Sequence, residues 1–158
     1  MLAALARVAE SEAAADDLFA TVWLGWLDAG GTMLRMGSLG HPSPLLLTDG
    51  VRYLDCTPAP PLGVVSDPEW LPSEVELPGT WTLVLYTDGL VEGRAAPGAS
   101  ERFGAERLQA WFADRDGAAV DGASLQALIS ALEREHGGNL PDDVAILVLA
   151  RRSAGVPT

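Results

Sequence analysis

No lysine occurs in the 158 residues: all ten basic positions are arginine, set against 22 Asp and Glu, for a formal net charge of −12. A surface so poor in cations repels phosphate backbones and anionic lipid, so neither nucleic acid nor a membrane is an expected partner. It suits divalent cations or a basic partner, and it also serves plain solubility. Cysteine is almost absent. Cys56 stands alone, which rules out an intrachain disulfide and makes a reducing cytoplasm the expected location. Long apolar runs are missing as well; stretches such as Leu45 to Leu47 or Ala145 to Ala150 are far too short to span a bilayer. The opening MLAALARVAESEAAADD carries acidic residues and no basic leader, so it does not read as a signal peptide. What is present is 48% hydrophobic and only 20% charged, the balance of one globular domain with a core rather than of a disordered segment.

Periodicity and turn residues order the chain. Met1 to Ala15, rich in Ala, Leu and Glu, predicts an amphipathic helix. Leu18 to Leu27 (LFATVWLGWL) predicts a buried strand, returned by Asp28-Ala29-Gly30-Gly31 into Thr32 to Ser38. Two prolines and a glycine make Gly40-His41-Pro42-Ser43-Pro44 a loop. Leu45 to Leu47 and Val51 to Leu54 flank an Asp49-Gly50 turn as a second hairpin. Thr57 to Pro61 opens an irregular connection, and Glu74 to Leu77 predicts a short edge strand. Trp81 to Tyr86 (WTLVLY) is a buried strand ending at Thr87-Asp88-Gly89. Helices are expected over Glu101 to Ala113, opened by Ser100, and over Gly122 to His136, opened by Asp121. Val144 to Ala150 is the last strand. Antiparallel hairpins with grouped helices predict an α+β layered sandwich rather than alternating βαβ units.

Two acidic places stand out. Asp88 directly follows one buried strand; Asp142 and Asp143 directly precede another. If those strands are antiparallel neighbours, the carboxylates converge on one rim, and clustered oxygens are what Mg²⁺ or Mn²⁺ requires. Spacing alone also makes Asp88 a turn residue and Asp142 an Asx-type cap, and that plainer reading weighs more on spacing alone. His136, at a helix C-terminus, suits the helix dipole without a further role. Other phosphate chemistries fail on their residues. Six positions after Cys56 stands Leu62, not the Arg of a cysteine-dependent phosphatase, and two after Asp88 stands Leu90, not a second carboxylate.

Five segments in order, LFATVWLGWLD, GSLGHPSPLLL, PPLGV, TLVLYTDGLVEGR and NLPDDVAILVL, resemble the SpoIIE-like, sigma-factor-regulating branch of the PPM-type metal-dependent serine/threonine phosphatases, relatives of the type 2C enzymes. The resemblance runs from about Leu18 to Ala150. It implies a four-layer αββα sandwich of two antiparallel sheets with outer helices, residues 1–152 forming the C-terminal part of the domain and 153–158 a tail. It implies a site holding two Mn²⁺ or Mg²⁺ ions, where a metal-activated water attacks phosphoserine or phosphothreonine in line. Asp88 and Asp142 take the places of metal ligands, Asp143 beside Asp142 is counted with them as a metal residue, Gly89 permits a tight backbone turn, and His41 in GHPSP orders its loop.

The first motif of that family, of the form D-x-x-G-x-G, is missing. Asp16-Asp17-Leu18-Phe19-Ala20 lacks the glycines. The expectation is therefore a domain incomplete at its N-terminus, without the ligand that bridges two metals, left with one weak site. A late-assigned start, a natural truncation, and a fragment completed by another chain all account for it; a homodimer or an N-terminal complementing segment would cover the exposed edges. Two functions follow. One is a protein-serine/threonine phosphatase acting on a signalling phosphoprotein such as an anti-sigma-factor antagonist, impaired by the missing motif. The other is a non-catalytic module that binds a phosphoprotein or regulatory kinase.

Overall fold

The computed structural model describes residues 19–65, 71–115 and 120–152. The helix expected over Met1 to Ala15 and the tail at 153–158 lie outside them. Among the described residues eight strands and three helices follow in order: β1 (Val22–Leu27), β2 (Met33–Leu39), β3 (Leu45–Leu47), β4 (Val51–Tyr53), β5 (Pro58–Ala59), β6 (Ser73–Glu76), β7 (Trp81–Tyr86), α1 (Gly89–Glu92), α2 (Gly104–Ala113), α3 (Gly122–His136) and β8 (Ile146–Arg151). They divide into two compact units. One takes in the described residues up to Ser43 together with Asp55–Leu77; the other takes in Pro44–Leu54 and the described residues from Pro78 onward.

In the first unit β1 and β2 form an antiparallel hairpin from Val22↔Leu39 to Leu27↔Leu34. Its turn is closed by Asp28, whose carboxylate accepts hydrogen bonds from the backbone N–H of Thr32 at 2.6 Å and Met33 at 2.7 Å. Those donors hold the Asp28 carboxyl below the usual carboxylate range, Met33 contributing most. The far side of β2 pairs antiparallel with β6 and parallel with β5. The parallel pair is only two residues long and lies inside the TPAPP stretch expected to be irregular, where a proline lacking an N–H tolerates only an edge position. Trp23 lies across Gly25: a Cβ there would stand 2.5 Å from the indole ring.

The second unit is a four-stranded antiparallel sheet, ordered β4-β3-β7-β8. Alternation along the strands sorts its side chains. Leu45, Leu47, Val84 and Tyr86 point to one face and pack with Leu90, Phe103, Leu108, Phe112, Leu128 and Leu132 into one buried cluster that joins sheet and helices. Leu46, Leu83 and Leu149 occupy one row on the other face. The Tyr53 hydroxyl donates to the Ala105 carbonyl at 2.6 Å and Gln109 Nε2 donates to the Val51 carbonyl at 2.8 Å, tying the β4 edge to α2.

α3 matches its expected bounds. Asp121 and Ser124 form a reciprocal capping box at its start, and Gly137, with φ 86°, ends it in the left-handed conformation. α2 begins at Gly104 rather than Glu101, and Ser100 does not cap it, because the preceding backbone is already committed. Ala95 N–H donates to the Glu101 carbonyl and Phe103 N–H to the Gly93 carbonyl. Among the described residues no helix is long and apolar enough to cross a membrane. The class is α+β, built on two sheets as expected, with one short parallel pair in the first.

Candidate active site

β7 and β8 pair antiparallel up to Tyr86↔Ile146, so the end of one strand lies beside the start of the other. Beyond that pair the two chains stay clipped together by one residue. Thr87 N–H donates to the Ala145 carbonyl at 3.1 Å. The Thr87 hydroxyl donates to the Asp143 carbonyl at 2.9 Å and accepts from the Ala145 N–H at 2.9 Å. Because Thr87 holds residues 143–145, regular pairing stops, and β8 starts at Ile146 rather than at the expected Val144.

The clip brings Asp142 against Asp88. Asp88 caps α1, its carboxylate accepting from the Gly89 N–H at 3.1 Å. One turn later on α1 comes Glu92. Asp88, Glu92 and Asp142 each offer a carboxylate oxygen, and the three lie within 4.8 Å of one another. Oxygens sharing one hard cation stand at most about 4–5 Å apart, given metal–oxygen distances of about 2.0–2.5 Å, so this set fits a single divalent ion. Asp142 also accepts from its neighbour's N–H, Asp143 N, at 2.8 Å, which orients its carboxylate. Glu92 is paired with Arg102 Nη1 at 2.6 Å, so one of the three negative charges is already balanced.

Gly89 is buried for a steric reason. A Cβ there would stand 2.6 Å from the Asp143 carbonyl oxygen and 3.1 Å from that of Asp142. The absence of a side chain lets the 142–143 backbone come close, whereas the sequence had suggested only a tight turn. In Thr87-Asp88-Gly89, then, the first residue clips, the second presents a carboxylate, and the third leaves room.

The other residues expected at a site do not join the trio. Asp143 contributes its backbone carbonyl to the Thr87 clip, and its carboxylate is outside the trio. His41 belongs to the first unit, where its Nδ1 lies 3.2 Å from the Thr21 hydroxyl and its carbonyl accepts from Ser38 Oγ at 2.8 Å. His136 accepts the Arg94 backbone N–H on Nδ1 at 3.0 Å. Burial raises the Cys56 thiol above its ordinary pKa, which suppresses the thiolate and suits an inert side chain. Glu92 is the member that sequence reasoning missed. The signal was its position four residues after Asp88, which shares a face only once the backbone there is known to turn helical.

Comparison with known proteins matches the chain to one family. The family model described as Stage II sporulation protein E (SpoIIE) matches residues 1–152. No curated protein sequence matches the chain. Among solved structures, the chain is similar to the SiaA-PP2C domain of Pseudomonas aeruginosa (TM-score 0.74, 22% identity, covering 90% of this chain and 56% of that one). It is similar to the phosphatase domain of SpoIIE from Bacillus subtilis presoaked with Mn (0.61, 17%, 87% and 59%). It is also similar to the RsbU and RsbW domains of Rv1364c from Mycobacterium tuberculosis (0.67, 29%, 99% and 43%). The chain thus spans little more than half of those structures, or less.

Proposed function

The chain belongs to the SpoIIE family, with the fold of PP2C-type phosphatase domains, and we propose that it is a metal-dependent protein-serine/threonine phosphatase whose metal ligands are Asp88, Asp142 and Glu92. The observation that carries this reading is the convergence of those three carboxylates where β7 ends and β8 begins. A bound Mn²⁺ or Mg²⁺ would supply an acidified water and charge neutralisation for in-line attack on phosphorus, leaving a free hydroxyl and inorganic phosphate. The chain's own part is positional. Asp88 and Asp142 approach from two strands, Glu92 from α1; Thr87, Gly89 and the Asp143 carbonyl hold the strand ends in register. His41 orders its loop through Ser38 and Thr21.

The proposed substrate is a phosphoserine or phosphothreonine on a bacterial signalling protein such as an anti-sigma-factor antagonist. Its support is the family and the similarity to a protein that carries RsbU and RsbW domains. We assign residues 1–152 to the C-terminal part of the domain. The chain contains no D-x-x-G-x-G run, so one cation and slow turnover are expected, with a complementing segment or second copy as partner.

The test is hydrolysis of an aryl phosphate in Mn²⁺, with chelator and Asp88→Asn as controls. Turnover that needs Mn²⁺ and disappears in Asp88→Asn supports the reading. Well-folded protein that retains phosphoprotein tightly without turnover would support a non-catalytic binding module, a reading favoured by the missing motif and by the Arg102 partner that already occupies Glu92.

A further inference from the structure

Residues 93–103 leave α1, turn, and return into α2 with Arg94 and Arg102 directly opposite each other in an antiparallel bridge. The flanking hydrogen bonds, Ala95 N–H to Glu101 O at 2.9 Å and Phe103 N–H to Gly93 O at 2.6 Å, identify it as a non-hydrogen-bonded pair. This is the position where opposed Cα atoms come closest and the two side chains share a face. Like charges placed so repel. The bridge is also held from outside: the Arg94 N–H donates to His136 Nδ1, and Arg107 Nη1 donates to the Ala95 carbonyl at 3.3 Å.

Arg102 reaches the carboxylate trio through its ion pair with Glu92. Only Nη1 of its guanidinium makes a hydrogen bond among the described residues, out of the five N–H donors such a group carries. Arg94, in a chain of ten cations and 22 acids, has no carboxylate within ion-pair distance among the described residues. The Arg102–Glu92 pair is largely exposed on its Arg102 side and so contributes little to stability. Stability therefore does not account for two arginines in the closest cross-strand position.

We propose that Arg94 and Arg102 form the phosphate-binding element of this site: a two-guanidinium clamp that takes the phosphoryl oxygens of the substrate beside the cation-binding carboxylates. The planar fork of arginine matches phosphate oxygens in pairs. Two cations carried on one face by opposed residues repel each other, and a phosphate dianion held between them removes that repulsion. The clamp rests on the phosphatase reading of the trio, but it makes a separate demand on the molecule. Arg102→Ala removes the competitor for Glu92, so it should hold or raise cation affinity while lowering phosphate affinity. A merely structural role would lower both.

The experiment is calorimetric titration of the full chain, first with Mg²⁺ alone, then with inorganic phosphate in saturating Mg²⁺, for the parent, Arg94→Ala, Arg102→Ala and Asp88→Asn. Each arginine variant is expected to lose about tenfold in phosphate affinity, with Mg²⁺ affinity kept in Arg94→Ala and kept or raised in Arg102→Ala. Phosphate affinities within about twofold of the parent in both arginine variants overturn the clamp, as does a parallel loss of Mg²⁺ and phosphate. Mg²⁺ bound through Asp88 with no phosphate binding in the parent sinks the clamp and leaves the metal reading standing. Arginine-dependent phosphate binding without Mg²⁺ binding does the reverse, and a parent that binds neither sinks both.

Discussion

The two sheets of this chain are built to different standards of cover. The sheet β4-β3-β7-β8 has helices on one face and a continuous buried cluster running from Leu45 on β3 to Leu132 on α3. In the first unit, among the described residues, no helix backs the sheet; Leu34, Met36 and Leu39 of β2 are buried, and a cluster of its own consists of Leu39 and Leu62 with Val22 and Ala59. Large apolar side chains stand exposed in that unit, including Phe19, Trp26, Leu27 and Leu71, whereas among the described residues of the helix-backed unit those exposed are Leu147 and Leu149, both on β8. The carboxylate trio and its clip sit on the helix-backed sheet. Carboxylates that must hold a fixed spacing gain from a backbone that packing has already immobilised.

The sharpest way to break this comparison is paired truncation. Leu128→Ala, at a fully buried position on α3, should cost about 2–5 kcal/mol. Leu27→Ala, at 42% exposure on β1, should cost less than about 1 kcal/mol. Urea unfolding of both variants measures the difference, and equal losses would mean the two sheets are equally consolidated. Next in size is Gly89→Ala, whose Cβ collides with the Asp143 carbonyl. Overpacking of that kind costs about 1–3 kcal/mol and should reduce Mg²⁺ affinity as Asp142 is pushed away. Thr87→Val keeps the shape but removes a donor and an acceptor, with an expected cost of about 1–2 kcal/mol. Faster hydrogen exchange at the Ala145 amide would report it.

Acidification tests both units together. Asp28 in one and Asp121 in the other accept backbone hydrogen bonds that lower their pKa in the folded state. A depressed folded pKa gives stability that is complete above the unfolded value, about 3.9, and is lost as pH falls through the folded one. Melting temperature should therefore hold down to about pH 5 and drop below pH 4, with a shallower drop in Asp28→Asn and Asp121→Asn. The smallest effect belongs to the exposed cross-strand pair Arg35–Glu74. Arg35→Ala should change stability by no more than about 1 kcal/mol.

Legibility in the sequence followed the same division. β7, the β3–β4 hairpin and α3 fall where WTLVLY, Asp49-Gly50 and Asp121 place them, because each is specified by residues inside or next to the element. The start of α2 was not readable, since a bridge to residues eight positions earlier occupies its approach. β5 escaped notice because two residues leave no periodicity and a proline argues against a strand. At the site, Asp88 and Asp142 were visible from their places at strand ends. Glu92 was not, because its membership depends on one helical turn too short to announce itself. The steric role of Gly89 depends on a chain segment more than fifty residues away.

The hydroxyl that ties β4 to α2 makes the helix-backed unit its own optical indicator. Burial raises both Tyr53 and Tyr86 above the ordinary phenol value, and for Tyr53 the neighbouring Tyr86 adds to the shift. These are the only two tyrosines of the chain. An unfolded chain would ionise both near pH 10, whereas the folded unit keeps them protonated, so alkali above that value favours unfolding. The rise of phenolate absorbance in an alkaline titration should therefore arrive late and together with loss of helix signal, recording the opening of that one sheet without any added label.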